Sequence, residues 1–331
     1  MRYNYSQYDA FCPVCSNQKN TLLFKVTSKE AAMHFLVAHG IDKSNLSLIS
    51  DKISEIWNKS EAAVVNCKNC DFTFADPYVG GDYEFYNLLP HATDIHAENW
   101  KWEFEKTYSK IKNIASTNSD LSFLEIGAST GSFVKRVSNI IPKKNIFCLE
   151  YSEIGVNSIR EAGMEAQSWN FIDLRNQKQF IEKFDIICLF QVLEHLDKLD
   201  DTFNTLNSIA KPGCHLFIGV PNGRKIKLNE LSDGLLDMPP NHIGRYNKHV
   251  FDFLSKKFNW NIVEISKEPF TPLGVMKTVM YYRSLKAAQF PPVENTTLHK
   301  ISQYLKIKYL RLQSFLFYKQ LGDTLWVHLQ K

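Results

Sequence analysis

Phe123-Leu-Glu-Ile-Gly-Ala-Ser-Thr-Gly-Ser132 decides the reading of this chain. A short strand runs into a turn that carries two glycines, and Gly131 opens what reads as a helix through Ile141. Gly127 allows a tight turn, Ser129 is small, and Gly131 lets backbone approach a ligand or the sheet. The next strand, Asn145–Glu150, ends on a carboxylate. An acid there can accept hydrogen bonds from both hydroxyls of a ribose, so strand, loop, helix and acid together point to a nucleoside-containing ligand.

Outward from this stretch, strands and helices alternate. Further strands read at Met164–Trp169, Phe184–Phe190, His215–Val220 and Ile262–Ser266, with a final one at Thr324–Gln330. Helices read at 98–115, Glu153–Ala162 and Asn247–Phe258, with Gly163 placed to end the second and Asp173 placed to cap another. The alternation predicts an α/β fold, a parallel sheet covered on both faces.

The loop spacing is E-x-G-x-S-x-G rather than the G-x-G-x-x-G of a dinucleotide site. Glu125 beside the turn would repel a pyrophosphate but suits an ammonium group. S-adenosylmethionine carries an ammonium, a sulfonium and a ribose, and no phosphate.

On these residues the chain resembles the class I S-adenosylmethionine-dependent methyltransferases. The resemblance covers roughly residues 100–331 and rests on LEIGASTGSF (124–133), FCLEYSEIGV (147–156), FDIICLFQVLEHL (184–196), KPGCHLFIGVPN (211–222) and the last strand. It implies a Rossmann-like methyltransferase sheet of parallel strands plus one antiparallel final strand. It implies that Glu125, Gly127 and Gly131 line the methionine part, with Ser129 where the family usually has glycine. Glu150 would hold the ribose, with Tyr151 beside the adenine. Phe171 and Ile172 would flank the adenine edge, and Gln191 would lie near the transferred methyl.

On the acceptor side His242 is the candidate base, because its ordinary pKa suits proton transfer, and nearby Tyr246 is the second catalytic candidate. Some related O-methyltransferases place E-x-x-E-H plus a later histidine around magnesium. Here Gln191 replaces the first carboxylate, which argues against a hard cation at Glu194, His195 and His242. Glu194 and His195 are instead expected to cap and orient their turn.

The N-terminal part carries two C-x2-C pairs, Cys12/Cys15 and Cys67/Cys70. Two such knuckles complete a tetrahedral sulfur site that suits a structural zinc, with no coordination position left for a catalytic water. The chain has 7 cysteines. Cys148, Cys188 and Cys214 lie in or beside apolar runs and read as packing residues. Between the knuckles, Thr27-x-x-Glu30 fits a capping box, Gly40 can stop the helix it starts, and Leu46–Trp57 reads as a second helix. This segment resembles the zinc-binding segment that precedes the catalytic domain in bacterial sugar C-methyltransferases and related polysaccharide-pathway enzymes, although the insert is long.

The expected organisation is a zinc-ribbon module over 1–80 and an aromatic-rich linker and helix over 81–120. The methyltransferase domain follows over 121–331, with a helical insert at 270–321. Within that insert, 298–321 is basic and amphipathic. It can meet a membrane surface or an anionic partner, and a helix covering the sheet is the plainer reading.

Composition bounds the function. The 331 residues are 44% hydrophobic and 22% charged, a globular balance, and the formal net charge of +4 argues against a dedicated nucleic-acid binder. No run is apolar over the ~20 residues a membrane span needs, and the first residues lack a signal-like apolar core. A cytoplasmic location is expected. The leading expectation is methyl transfer from S-adenosylmethionine to a small polar acceptor, with a nucleotide- or lipid-linked sugar of a surface polysaccharide as the first candidate. Two alternatives stay open: an RNA methyltransferase that grips RNA through the zinc ribbon, and a non-catalytic cofactor-binding protein.

Overall fold

The structure is a computed structural model. It describes residues 4–38, 43–89, 100–118, 120–231, 237–274 and 318–331, with scattered positions between 276 and 316. Gly40, most of the insert at 270–321 and much of the basic segment 298–321 lie outside the described residues.

The larger sheet is built from β5 (Phe123–Ile126), β6 (Ile146–Leu149), β7 (Glu165–Gln167), β8 (Phe184–Phe190), β9 (Ala210–Pro221), β11 (Asn261–Lys267) and β12 (Thr324–Gln330). Their order is β11-β12-β9-β8-β5-β6-β7. The pairs β5–β6, β6–β7, β5–β8 and β8–β9 are parallel, and β12 runs antiparallel to both β9 and β11. The final strand alone is reversed among these, as expected from the sequence. Every residue of β5 and β6 is buried, which explains their near-continuous apolar reading.

Helices flank the sheet. They include α4 (Trp102–Ala115), α5 (Ser132–Val137), α6 (Glu153–Glu161), α7 (Leu199–Ile209), α8 (Gly223–Leu231) and α9 (Lys248–Phe258). Gly163 closes α6 with φ +84°, and Asn247 caps α9 by accepting from the Val250 N–H at 3.1 Å. The cap expected from Asp173 belongs instead to Asn170, whose side chain accepts from the Ile172 N–H. Asn170 is one residue outside the 3-10 turn Phe171–Asn176, where an extended backbone lets a short side chain reach back.

The smaller sheet has the order β1-β2-β3-β4-β10, all antiparallel. It contains β1 (Ser6–Asp9), β2 (Lys19–Thr27), β3 (Glu61–Cys67), β4 (Thr73–Asp76) and, from far along the chain, β10 (Gly244–Arg245). The capping box forms as the sequence predicts. The Thr27 N–H donates to Glu30 Oε2 at 2.8 Å, and the Glu30 N–H donates to Thr27 Oγ1 at 3.2 Å. It opens α1 (Ser28–Ala38), which packs with α2 (Leu46–Trp57) and α3 (Tyr83–Leu88). Phe35, Ile49, Ile53, Trp57 and Phe85 fill that small core.

The two sheets share apolar surface. Leu124, Ile126 and Leu189 of the large sheet belong to one buried cluster with Val65 and Phe74 of the small one and with Val14 and Phe72 outside its strands. Strand alternation turns Phe123 and Glu125 to the opposite face, where Phe123 joins Phe104, Phe133, Phe190 and Trp326.

Candidate active site

The sheet order makes β5 the place where the chain reverses direction: β6 and β7 lie on one side of it, β8 and β9 on the other. In open α/β sheets the crevice at the carboxyl ends of the strands opens at such a point. Glu125 and the glycine loop are there because of topology.

The loop takes the expected form. Gly127 has φ +74°, and a Cβ there would come within 2.4 Å of Val192 Cγ2, so this position needs glycine twice over. Ser129 holds φ +50° and thereby keeps the turn that glycine usually makes. Its N–H donates to Glu150 Oε2 at 2.7 Å, while the Ser152 N–H donates to Glu150 Oε1 at 2.9 Å. Each carboxylate oxygen keeps a second acceptor site, so Glu150 can still take two hydroxyls. Gly155 was not singled out from the sequence. A Cβ there would lie 2.5 Å from Ser129 O and 2.7 Å from Glu150 Cγ, so the N-terminal turn of α6 must be bare to admit both. Gly131 precedes α5 with φ +83°.

Glu125 is 3% exposed and its Oε2 has no hydrogen-bond partner. Burial pushes its carboxyl well above the usual range, and the neighbouring Glu150 charge adds to this, while Lys101 opposes it. The two acids therefore feel one another, as a shared pocket requires. A buried carboxylate oxygen without a partner fits the ammonium of S-adenosylmethionine, which would supply a charge-assisted hydrogen bond.

The other expected cofactor residues follow the carboxyl ends of β6, β7 and β8. Tyr151 follows Glu150 and is 62% exposed, and burial of its hydroxyl, with the Asp173 and Glu150 charges, raises its pKa. Phe171 is buried and Ile172 half-buried at the start of the 3-10 turn after β7. Gln191, just after β8, has φ +56°, and its side chain donates to Glu103 Oε1 at 3.5 Å. Glu103 is buried and also accepts from Thr324 Oγ1 at 3.2 Å. Nothing in the sequence marks Lys101 or Glu103, because both stand in an aromatic-rich stretch without a motif.

On the far side of Gln191, Glu194, His195 and His242 come together. The expectation that Glu194 caps its turn is not met. It is 0% exposed, and neither carboxyl oxygen has a hydrogen-bond partner. Its burial raises its pKa to about 7. Burial, with the His242 charge, holds His195 near 3. Burial lowers His242, but the bond from its Nδ1 to Asp237 Oδ1 at 2.9 Å outweighs this and raises its pKa overall. Asp237 had no signature in the sequence. Tyr246, expected nearby as a catalytic partner, is instead 0% exposed, packs on Phe72 and Phe251, and donates its hydroxyl to Leu193 O at 3.2 Å. Its burial raises its pKa, so it braces the loop from below.

The four knuckle cysteines also converge. Cys12 Sγ lies 3.6 Å from Cys70 Sγ and Cys15 Sγ lies 3.5 Å from Cys67 Sγ. Four thiolates about 2.3 Å from one ion would be separated by about 3.8 Å, so the cluster is compatible with a small zinc module. The Asn69 N–H donates to Cys67 Sγ at 3.4 Å. The Cys70 thiol bonds to Cys12 and, with the Cys15 and Val14 amides, lowers Cys12 to about 6 against its burial. Cys148, Cys188 and Cys214 are buried, and burial raises each of them, in keeping with inert packing.

No curated protein matches the chain. Among solved structures it is similar to an S-adenosylmethionine-dependent methyltransferase of Archaeoglobus fulgidus, at 12% identity over 76% of this chain and 100% of that one, with a TM-score of 0.46. It is also similar to the N-methyltransferase NodS of Bradyrhizobium japonicum in complex with S-adenosyl-L-homocysteine, at 11% identity over 72% of this chain and 92% of that one, with a TM-score of 0.43. Residues 99–265, which contain the glycine loop, Glu150 and the Glu194 cluster, match the family described as methyltransferase domain. With the reversal at β5 and the two acids around its loop, the chain belongs to that family and is an S-adenosylmethionine-dependent methyltransferase.

Proposed function

We propose that the enzyme methylates a small polar acceptor, with a nucleotide- or lipid-linked sugar of a polysaccharide pathway as the first class to try. Bound S-adenosylmethionine supplies an activated methyl group on sulfur. The chain's part is to hold that donor and align the acceptor, because the donor is already reactive and alignment with exclusion of water supplies much of the rate. Glu125 would take the ammonium, Glu150 the ribose hydroxyls, and Tyr151, Phe171 and Ile172 the adenine.

The observation that carries the reading is the orphaned Glu125 Oε2 beside Glu150 at the crevice end of β5. The acceptor would lie beyond Gln191, against Glu194, His195 and His242. An acceptor hydroxyl or amine would there meet a carboxylate oxygen and two ring nitrogens that lie within 4.8 Å of one another. The sugar class is supported by resemblance of the N-terminal segment alone. In this reading Cys12, Cys15, Cys67 and Cys70 hold a structural zinc that keeps the small sheet folded.

Two measurements test the reading. Calorimetry should show S-adenosylhomocysteine binding to the purified protein. Labelled methyl donor, incubated with a panel of nucleotide-linked sugars, should give labelled product on at least one. Binding without label transfer to sugars, but with transfer to another small-molecule class, would overturn the sugar assignment.

A further inference from the structure

Glu194, His195 and His242 bring three potential ligand atoms together, separate from the cysteine cluster. One ligating atom from each, a carboxylate oxygen and two ring nitrogens, lies within 4.8 Å of the others. His195 Nε2 is 3.9 Å from Glu194 Oε1, and the two imidazoles are 4.9 Å apart between centroids. They come from one turn after β8 and from the segment before β10, which is joined to that turn where the Ile243 N–H donates to Glu194 O at 2.9 Å.

Two independent features point to an ion. First, Glu194 is fully buried with both carboxyl oxygens unpartnered. A carboxylate so placed is costly unless a cation joins it. Second, each histidine is fixed through its other nitrogen. His195 Nδ1 is 2.7 Å from Asn241 O, with the Tyr86 hydroxyl 3.1 Å away, and His242 Nδ1 is 2.9 Å from Asp237 Oδ1. Nδ1 held by a carbonyl or carboxylate is the outer shell of a metal-binding imidazole.

The donor set also selects the ion. Gln191 has turned to Glu103, so two nitrogens and one carboxylate remain. Magnesium prefers oxygen ligands, whereas imidazole suits borderline transition ions.

We propose that Glu194, His195 and His242 bind a divalent transition metal of the zinc type. Three protein ligands leave a tetrahedral ion one open position, for water or for an acceptor oxygen. Its use by an acceptor rests on the methyltransferase reading, but ion binding does not. With the ion in place His242 is a ligand, and the role of free base expected from the sequence falls away.

Zinc content by mass spectrometry, after loading the full chain with zinc and removing the excess, tests this. The expected result is one equivalent fewer in Glu194→Gln and in His242→Gln than in the unaltered protein, with S-adenosylhomocysteine binding retained as proof of folding. Cys67→Ser should lose a different equivalent and keep this one. Asp237→Asn leaves the ligands in place and should weaken zinc about 10–100-fold through the outer shell. Equal zinc in the unaltered protein and in both ligand variants would overturn the proposal, as would an unchanged affinity in Asp237→Asn. If the chain bound no S-adenosylhomocysteine yet lost its zinc equivalent in the variants, the donor reading would fail and the metal site would stand.

Discussion

Replacing Glu125 by Gln keeps the shape of the side chain and removes its charge, and the structure gives that change two opposite signs. In the complex, a carboxylate facing an ammonium makes a charge-assisted hydrogen bond worth about 1.5–3 kcal/mol. At about 1.4 kcal/mol per tenfold, S-adenosylhomocysteine should bind Glu125→Gln roughly 10–150-fold more weakly. In the free protein the carboxyl is 3% exposed, has one unpartnered oxygen, and is raised well above 4.5 by burial and by Glu150. The folded state then holds a proton that the unfolded chain has already released. Stability from this group is therefore full below about 4.5 and is lost as pH rises toward the folded value, by about 1.4 kcal/mol for each pH unit between them. Gln does not titrate, so the variant should be at least as stable as the unaltered protein at pH 8 and should lack this slope. Calorimetry with S-adenosylhomocysteine and urea melts at pH 5 and 8 measure both. An affinity within about threefold of the unaltered protein, or a free protein destabilised at pH 8, would refute the reasoning.

Other outcomes follow from single residues. Glu150→Ala strips the acceptor from the Ser129 and Ser152 amides as well as from the ribose, so cofactor affinity should fall about 100-fold, with Glu150→Gln between, while zinc content stays unchanged. Ser129→Gly should raise the unfolding free energy from urea melts by about 1 kcal/mol, because a non-glycine residue at φ +50° is strained, and S-adenosylhomocysteine binding should persist. His328 stacks on Phe217 at 4.4 Å between centroids, and its burial together with His215 depresses it from 6.5 to about 4. The unfolded chain takes up that proton first, so stability present above pH 6.5 should be lost as pH falls to about 4. His328→Phe should flatten this part of a stability–pH curve measured by urea melts.

Much of the cofactor loop was legible because its signals are local. A buried parallel strand, a positive φ at Gly127 and an acid at the next strand end are each set by residues a few positions apart, and the chain writes them in order. The capping box at Thr27 and Glu30 and the reversed last strand were legible for the same reason. Ser129 shows the limit of pattern: it departs from the expected glycine, yet the turn survives because its amide is tied to Glu150. Asn170 capped where Asp173 was expected, a shift that depends on which backbone is extended.

The knuckle spacing by itself established two sulfur pairs, and the alternation of strands and helices established an α/β fold. Tertiary structure decided that Cys12 meets Cys70, that Tyr246 is core, and that Glu194, in the turn after β8, is a naked carboxylate facing two imidazoles held by Asn241 and Asp237. Periodicity and backbone preference act over a few residues. Desolvation, and the meeting of groups far apart along the chain, are settled only when the sheets close on one another.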